Sequence, residues 1–132
     1  MGARKFAKLE ASLNSLLDEA SWLLSHAEAL ADYGREQEAA LELARAATCE
    51  EQIAYLLDVV GREQEAVLHR VSAASCYEQL NEFARAATLL RAVLSTPLTA
   101  DYRHRIIQRL AFCLAQAIAQ KSSPPRKLAS VS

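Results

Sequence analysis

Apolar residues recur at intervals of three and four along nearly the whole chain. Between about Lys5 and Asp32 the series is Phe6, Leu9, Leu13, Leu16, Leu17, Ala20, Leu23, Leu24, Ala27, Leu30 and Ala31, which gathers on one side of an α-helix as a broad core-facing stripe. Asn14 and Ser15 compete with the backbone for hydrogen bonds and leave open a break into two shorter helices. Gly34 supplies a left-handed turn, and Arg35-Glu36-Gln37-Glu38 starts a second helix with carboxylates at its positive end. That helix runs to about Val59. Thr48 and Glu51 have the form of a capping box, but Ser75 and Glu78 repeat the form inside a good helical stretch, so continuity is expected through both.

Gly61 reverses the chain again, and a third helix spans about Arg62 to Leu80. Asn81, which tolerates the left-handed conformation, ends it; a fourth helix, Glu82 to Ser95, stops at Thr96-Pro97. The fifth, about Ala100 to Gln120, packs through Tyr102, Ile106, Leu110, Cys113, Leu114 and Ala117. The remainder, residues 121–132, mixes Pro, Ser and basic residues with too little apolar surface to order itself, and reads as a disordered tail or a linker. The organisation expected is one helical domain over residues 1–120 followed by that tail.

The middle of the chain is duplicated. Residues 34–60 and 61–87 align without a gap, sharing GREQEA, Leu41/Leu68, Ala46/Ala73, Ala47/Ala74, Cys49/Cys76, Glu51/Glu78 and Gln52/Gln79. A self-match at fixed offset marks a helical repeat array, whose units bury their apolar faces only by stacking on neighbours. The fold class implied is all-α, a five-helix antiparallel array with the last helix as terminal cap.

A second spacing recurs at an offset of 47: Ala27, Leu30, Gly34, Ala39, Leu43, Ala46, then Ala74, Tyr77, Asn81, Ala86, Leu90, Val93, followed by Pro97. This resembles the tetratricopeptide (TPR) pattern over about residues 20–97. In that family small residues let two antiparallel helices approach, bulky ones fill between them, and Gly or Asn makes the turn. The offset departs from the family's period of about 34, and Ile53, Ala54, Leu57 and Gly61 fit only the first half of a unit. The resemblance implies TPR-like helical hairpins, with longer helices than the family's, and binding of a protein or peptide in a groove. It implies no particular ligand.

Composition agrees with this picture, with 52% apolar and 23% charged residues and three Gly and three Pro. No apolar run approaches the roughly 20 residues of a membrane span, and Phe6 stands where a myristoylation signal opening on Met1-Gly2 wants Ser or Thr. Cys49, Cys76 and Cys113 lie far apart, with neither a CxxC pair nor metal-ligand spacing; they read as small buried thiols in a reducing compartment, with no disulfide and no metal. A cytoplasmic location without a membrane partner is the expectation.

The net charge of −1 conceals a polarity, since residues 10–65 carry thirteen acidic and three basic groups while residues 66–132 carry three acidic and nine basic. This asymmetry suggests salt-sensitive self-association, head to tail, or internal pairing of the two blocks.

Catalysis finds no motif: GxSxG, P-loop, HExxH and Rossmann glycine patterns are all missing, and His26, His69 and His104 lie on different helices. No cofactor is called for. Arg103, His104, Arg105 and Arg109 crowd the start of the last helix, but they do not interleave with aromatics and the other half of the chain would repel a polyanion, which argues against nucleic acid. More informative is the stripe Trp22, His26, Ala29 and Tyr33, nearly opposite the leucine-rich face of the first helix; either the fifth helix or the tail covers it, or it contacts a partner. Phe112 poses the same question among Arg105, Gln108, Arg109 and Gln116. Trp22, His26, Tyr33, Arg105, Arg109 and Phe112 are therefore the candidate partner-binding residues. The leading expectation is a non-catalytic protein- or peptide-binding adaptor; the rivals are a homo-oligomeric helical scaffold and a nucleic-acid accessory factor acting through the basic half.

Overall fold

The computed structural model describes residues 2–122. Over these residues the protein is an all-α array of five helices, α1 (Gly2–Asp32), α2 (Glu36–Val59), α3 (Glu63–Gln79), α4 (Phe83–Leu94) and α5 (Ala100–Ser122), with no strand. Packing runs between consecutive helices, α1 on α2, α2 on α3, α3 on α4 and α4 on α5.

Three turns of one design set this course. Gly34 and Gly61 take φ 78° and 80°, and Asn81 takes 61°. At each, the left-handed residue donates its N–H three residues back and its successor donates five back: Gly34 to Ala31 and Arg35 to Leu30, Gly61 to Asp58 and Arg62 to Leu57, Asn81 to Glu78 and Glu82 to Tyr77, all at 2.8–3.0 Å. This is the Schellman closure, which satisfies carbonyls that a helix end leaves orphaned. The next helix then opens with an ion pair across its first turn. Arg35 grips Glu38 at 2.7 Å and Arg62 grips Glu65 at 2.7 Å, and at the third turn the signs are exchanged, with Glu82 facing Arg85 at 3.7 Å. No side chain caps the N-terminus of α2, α3 or α4.

Leu13, Leu23, Ile53, Leu90, Val93 and Ile106 are the large side chains that lose nearly all contact with solvent. Between them lie Ala46, Ala47, Ala54, Ala66, Ala73, Ala74, Ala86 and Ala87, all buried. Side chains this small permit helix axes to approach toward the low end of the usual spacing of roughly 8–10 Å. Polar links hold α2 to α3 at the margins: buried Glu50 meets His69 Nδ1 at 2.9 Å, the Tyr77 hydroxyl donates to Glu51, and Arg70 pairs with Asp58.

The helices agree with the sequence pattern in number and order, and differ in detail. α1 is continuous through Asn14 and Ser15, because its buried set of Leu13, Ala20, Leu23, Ala27 and Leu30 lies on one uninterrupted face against α2. α2 passes Thr48 without a break, the hydroxyl bonding back to the Ala44 carbonyl. Phe6 does not belong to the core; it is 51% exposed. The seven more residues of α1 than of α2 explain this, since Arg62 at the following turn already reaches Glu10 at 3.6 Å and α1 continues past its partner. Ala31 is exposed as well. α5 runs to Ser122, so Lys121 and Ser122 are helical rather than tail; the remaining tail residues lie outside the described ones.

Candidate functional site

The most developed concavity is a groove of about 660 Å³ where α1, α2 and α3 meet. Its apolar wall comes from Leu24, Ala27 and Ala31 of α1, Ala39, Ala40 and Leu43 of α2, and Leu80 just after α3. Four of these seven are alanines, and the groove is the space their short side chains leave. Glu28 and Asp32 on α1 and Glu36 on α2 add three carboxylates, with Gln79 beside them. Among the described residues none of the three carboxylates takes part in an ion pair or a side-chain hydrogen bond. The neighbouring carboxylates differ: Glu38 is held by Arg35, and Glu42 stands near Arg45 and His26. Three uncompensated negative charges beside an apolar trough suit a ligand that is basic and partly apolar.

Local sequence explains the placement. Leu24, Ala27, Glu28, Ala31 and Asp32 are one helical face at intervals of three, one, three and one, and the Gly34 turn brings the first two turns of α2 alongside it. The same turn puts Glu36 at the positive end of α2, where a carboxylate is favoured.

The residues singled out by sequence fall into two separate groups. Trp22 is 58% exposed and stacks on His26 with ring centroids 4.5 Å apart, and His26 Nδ1 stands 3.4 Å from Glu42 on α2. His26 Nδ1 and Glu42 Oε2 are buried without a hydrogen bond. His26 also lines a second, shallower hollow with Leu30, Leu41, Glu42 and Arg45, away from the groove's carboxylates. Tyr33, 84% exposed, stands at the Gly34 turn. Packing between consecutive helices sets α5 against α4, and among the described residues α5 does not cover Trp22 or Tyr33, which stay exposed while His26 is partly buried.

The second group is on α5 and is largely engaged with its own chain. Arg109 donates to Ser75 Oγ at 3.0 Å and pairs with Glu78 on α3. Phe112 sets its edge against Phe83 on α4, centroids 5.9 Å apart, while half its surface stays exposed. Arg105 lies over the Tyr102 ring at 5.7 Å. Arg103, part of the same basic crowd, is tied to the Leu94 and Thr96 carbonyls and closes the α4–α5 connection. Two of the four basic groups thus serve the fold.

All three cysteines are free and buried. Burial pushes Cys76 and Cys113 up to about 11, and the Glu78 carboxylate beside Cys113 acts in the same direction. Cys49 is raised too, by burial and then by the charge of Glu19. Thiols held this firmly protonated are poor nucleophiles at neutral pH. Among the described residues no group of three His, Cys, Asp or Glu side chains stands close enough to hold a metal ion, and no helix is long and apolar enough to cross a membrane.

Sequence reasoning missed Glu28, Asp32 and Glu36. The available signal was their position flanking the predicted turn at Gly34. Comparison with protein families, with curated proteins and with solved structures finds no match. What the fold defines is therefore a class, an all-α array of stacked helices carrying an acid-lined groove.

Proposed function

We propose that this protein is a peptide-binding adaptor of TPR-like type, and that it takes a basic, partly apolar segment of a protein partner in the α1–α2–α3 groove without chemistry. The carrying observation is the apolar trough beside three carboxylates that no described cation neutralises. The TPR-like reading gains support from α5. Arg109 meets Ser75 thirty-four residues earlier, which is the spacing between equivalent helices of successive TPR units. Titration with a fluorescent amphipathic Lys/Leu peptide and with its Glu/Leu counterpart tests the function. Binding of the basic peptide alone, lost on Glu28→Gln/Asp32→Asn/Glu36→Gln, is the expected result; equal binding of both peptides, or no effect of the substitutions, refutes it.

Self-association is the second reading, and one observation favours it. Ile107, Ala111 and Ile118 follow one another at four and seven residues on the exposed side of α5, with Phe112 next to them. A terminal helix of a finished array presents a polar outer face, whereas this face suits packing against a second copy. Light scattering of wild type and Ile107→Lys/Ile118→Lys decides it, a dimer that becomes a monomer being the supporting result.

A further inference from the structure

α1 and α5 are the two ends of the array, and each has its main packing on one side, α1 on α2 and α5 on α4. Their outward sides carry apolar groups where the ends of a finished array are polar. On α1 these are Trp22 and, just past the helix, Tyr33, with Ala29 between them on the same side. Trp22 is already held by its stack on His26, so it loses little freedom on meeting a partner. On α5 they are Ile107, Ala111 and Ile118.

The two surfaces match in spacing. Trp22 and Tyr33 are eleven residues apart, as are Ile107 and Ile118, and each pair spans roughly 16 Å of helix. Every seam of the array joins helices that run in opposite directions, because a short connection reverses the chain between packed neighbours. With α5 of one copy set antiparallel to α1 of another, Ile118 meets Trp22 while Ile107 meets Tyr33. The same register puts Ala111 opposite Ala29, two small side chains that permit a close approach.

Charge agrees with this register. From Ala11 to Asp32, α1 carries Asp18, Glu19, Glu28 and Asp32 and neither Lys nor Arg, whereas α5 carries Arg103, Arg105, Arg109 and Lys121 against one acid, Asp101. Arg103 and Arg109 are engaged within the chain, while Arg105 and Lys121 are exposed. In the antiparallel register Lys121 comes beside Asp18, and Arg105 comes within one turn of Asp32; Arg35, at the adjoining turn, is already held by Glu38. The negative end of α1 also lies beside the positive end of α5.

We propose that α5 of one copy packs antiparallel on α1 of another, Ile118 at Trp22 and Ile107 at Tyr33, so that the array continues from chain to chain. This rests on reading the α5 face as a self-association surface and names the surface that receives it. The contact is heterologous, so it closes a ring or extends a filament. The apolar groups hold it and the flanking charges orient the encounter.

Sedimentation velocity over a concentration series tests it on wild type, Trp22→Lys and Ile107→Lys/Ile118→Lys, with circular dichroism melts to show that each variant is folded. Tyr33→Lys, at a position 84% exposed, replaces Trp22→Lys if that variant melts early. Wild type should associate as its concentration rises, and each variant should weaken association about thirtyfold or more. The α1 and α5 variants mixed in equal amounts should form a 1:1 dimer that grows no further, since each supplies the surface the other lacks. If the α5 variant dissociates and the α1 variant associates like wild type, α5 meets a like surface; docking on α1 falls and self-association stands. Two monomeric variants that do not pair when mixed also overturn the α1–α5 contact. Wild type that stays monomeric throughout overturns both the contact and self-association.

Discussion

Raising the pH above about 9 will weaken this fold, and the buried thiols set the size of the effect. Cys76 and Cys113 are 1% and 0% exposed, and both are pushed from 9.0 up to about 11, first by burial, then for Cys76 by the negative charge of Glu50 and for Cys113 by its hydrogen bond to Glu78 and the charge of that carboxylate. Below pH 9 each thiol is protonated in folded and unfolded chains alike, so the contribution is fully present. Between pH 9 and 11 the unfolded chain has released its protons while the folded chain retains them. The unfolded state then binds fewer protons, and the unfolding free energy falls as pH rises. Each thiol removes up to about 1.4 kcal/mol per pH unit in that window, so the pair removes roughly 3–5 kcal/mol by pH 11, a large share of the 5–15 kcal/mol of an ordinary domain. Cys49 shifts in the same direction, and Tyr77, pushed up to about 12 by burial and by its hydrogen bond to Glu51, extends the loss to higher pH. Urea unfolding followed by circular dichroism at pH 7, 9, 10 and 10.5 measures the decline. Cys76→Ala/Cys113→Ala will begin less stable at pH 7 and lose less between pH 9 and 10.5. Parallel curves for the two proteins would refute the reasoning, because the loss would then belong to other groups.

Packing and turn geometry lead to three further outcomes. Leu23→Ala will cost about 2–5 kcal/mol in urea unfolding, because its side chain is fully buried between α1 and α2, whereas Trp22→Ala one position away will cost no more than about 1–2 kcal/mol, the scale of an aromatic stack with part of its surface wet. Gly61→Ala will cost about 1–2 kcal/mol through the left-handed conformation alone, since nothing lies within 4 Å of the added methyl; Asn81→Gly at the matching turn will be close to neutral by the same assay. Glu78→Ala will destabilise by about 1–3 kcal/mol, read from the urea midpoint, by leaving Arg109 without its carboxylate partner.

Much of the fold was legible because helix-forming signals here are local. A period of three to four, a Gly or Asn at each reversal and a Pro after Thr96 suffice to place five helices within a few residues of their observed ends. Phe6 went astray because periodicity describes one helix at a time; whether a stripe is covered depends on how far the partner extends, and α2 stops short of it. The duplicated Leu41 and Leu68 are another instance, conspicuous as a repeat yet exposed in both copies. Trp22 on an outer face was legible from angle alone. Arg109 and Phe112 were not, since their partners Glu78 and Phe83 come from other helices at separations no local pattern encodes.

The charge asymmetry changes meaning once the chain is folded. Along the sequence, an acidic block and a basic block suggest either two poles that meet across molecules or internal pairing of the two blocks. The up-and-down course instead brings part of each block to the same end of the array, where Lys121 leaves α5 near the turn at Asn81 and Glu28, Asp32 and Glu36 line the adjoining groove. Charges gathered at one end make a short dipole, whose pull on a neighbouring molecule decays within a Debye length of about 10 Å at 0.1 M salt, while contacts inside one chain keep their proximity at any protein concentration. Self-association, where it occurs, has its better footing in the uncharged surface of Ile107, Ala111 and Ile118, and a contact made there will persist as salt rises.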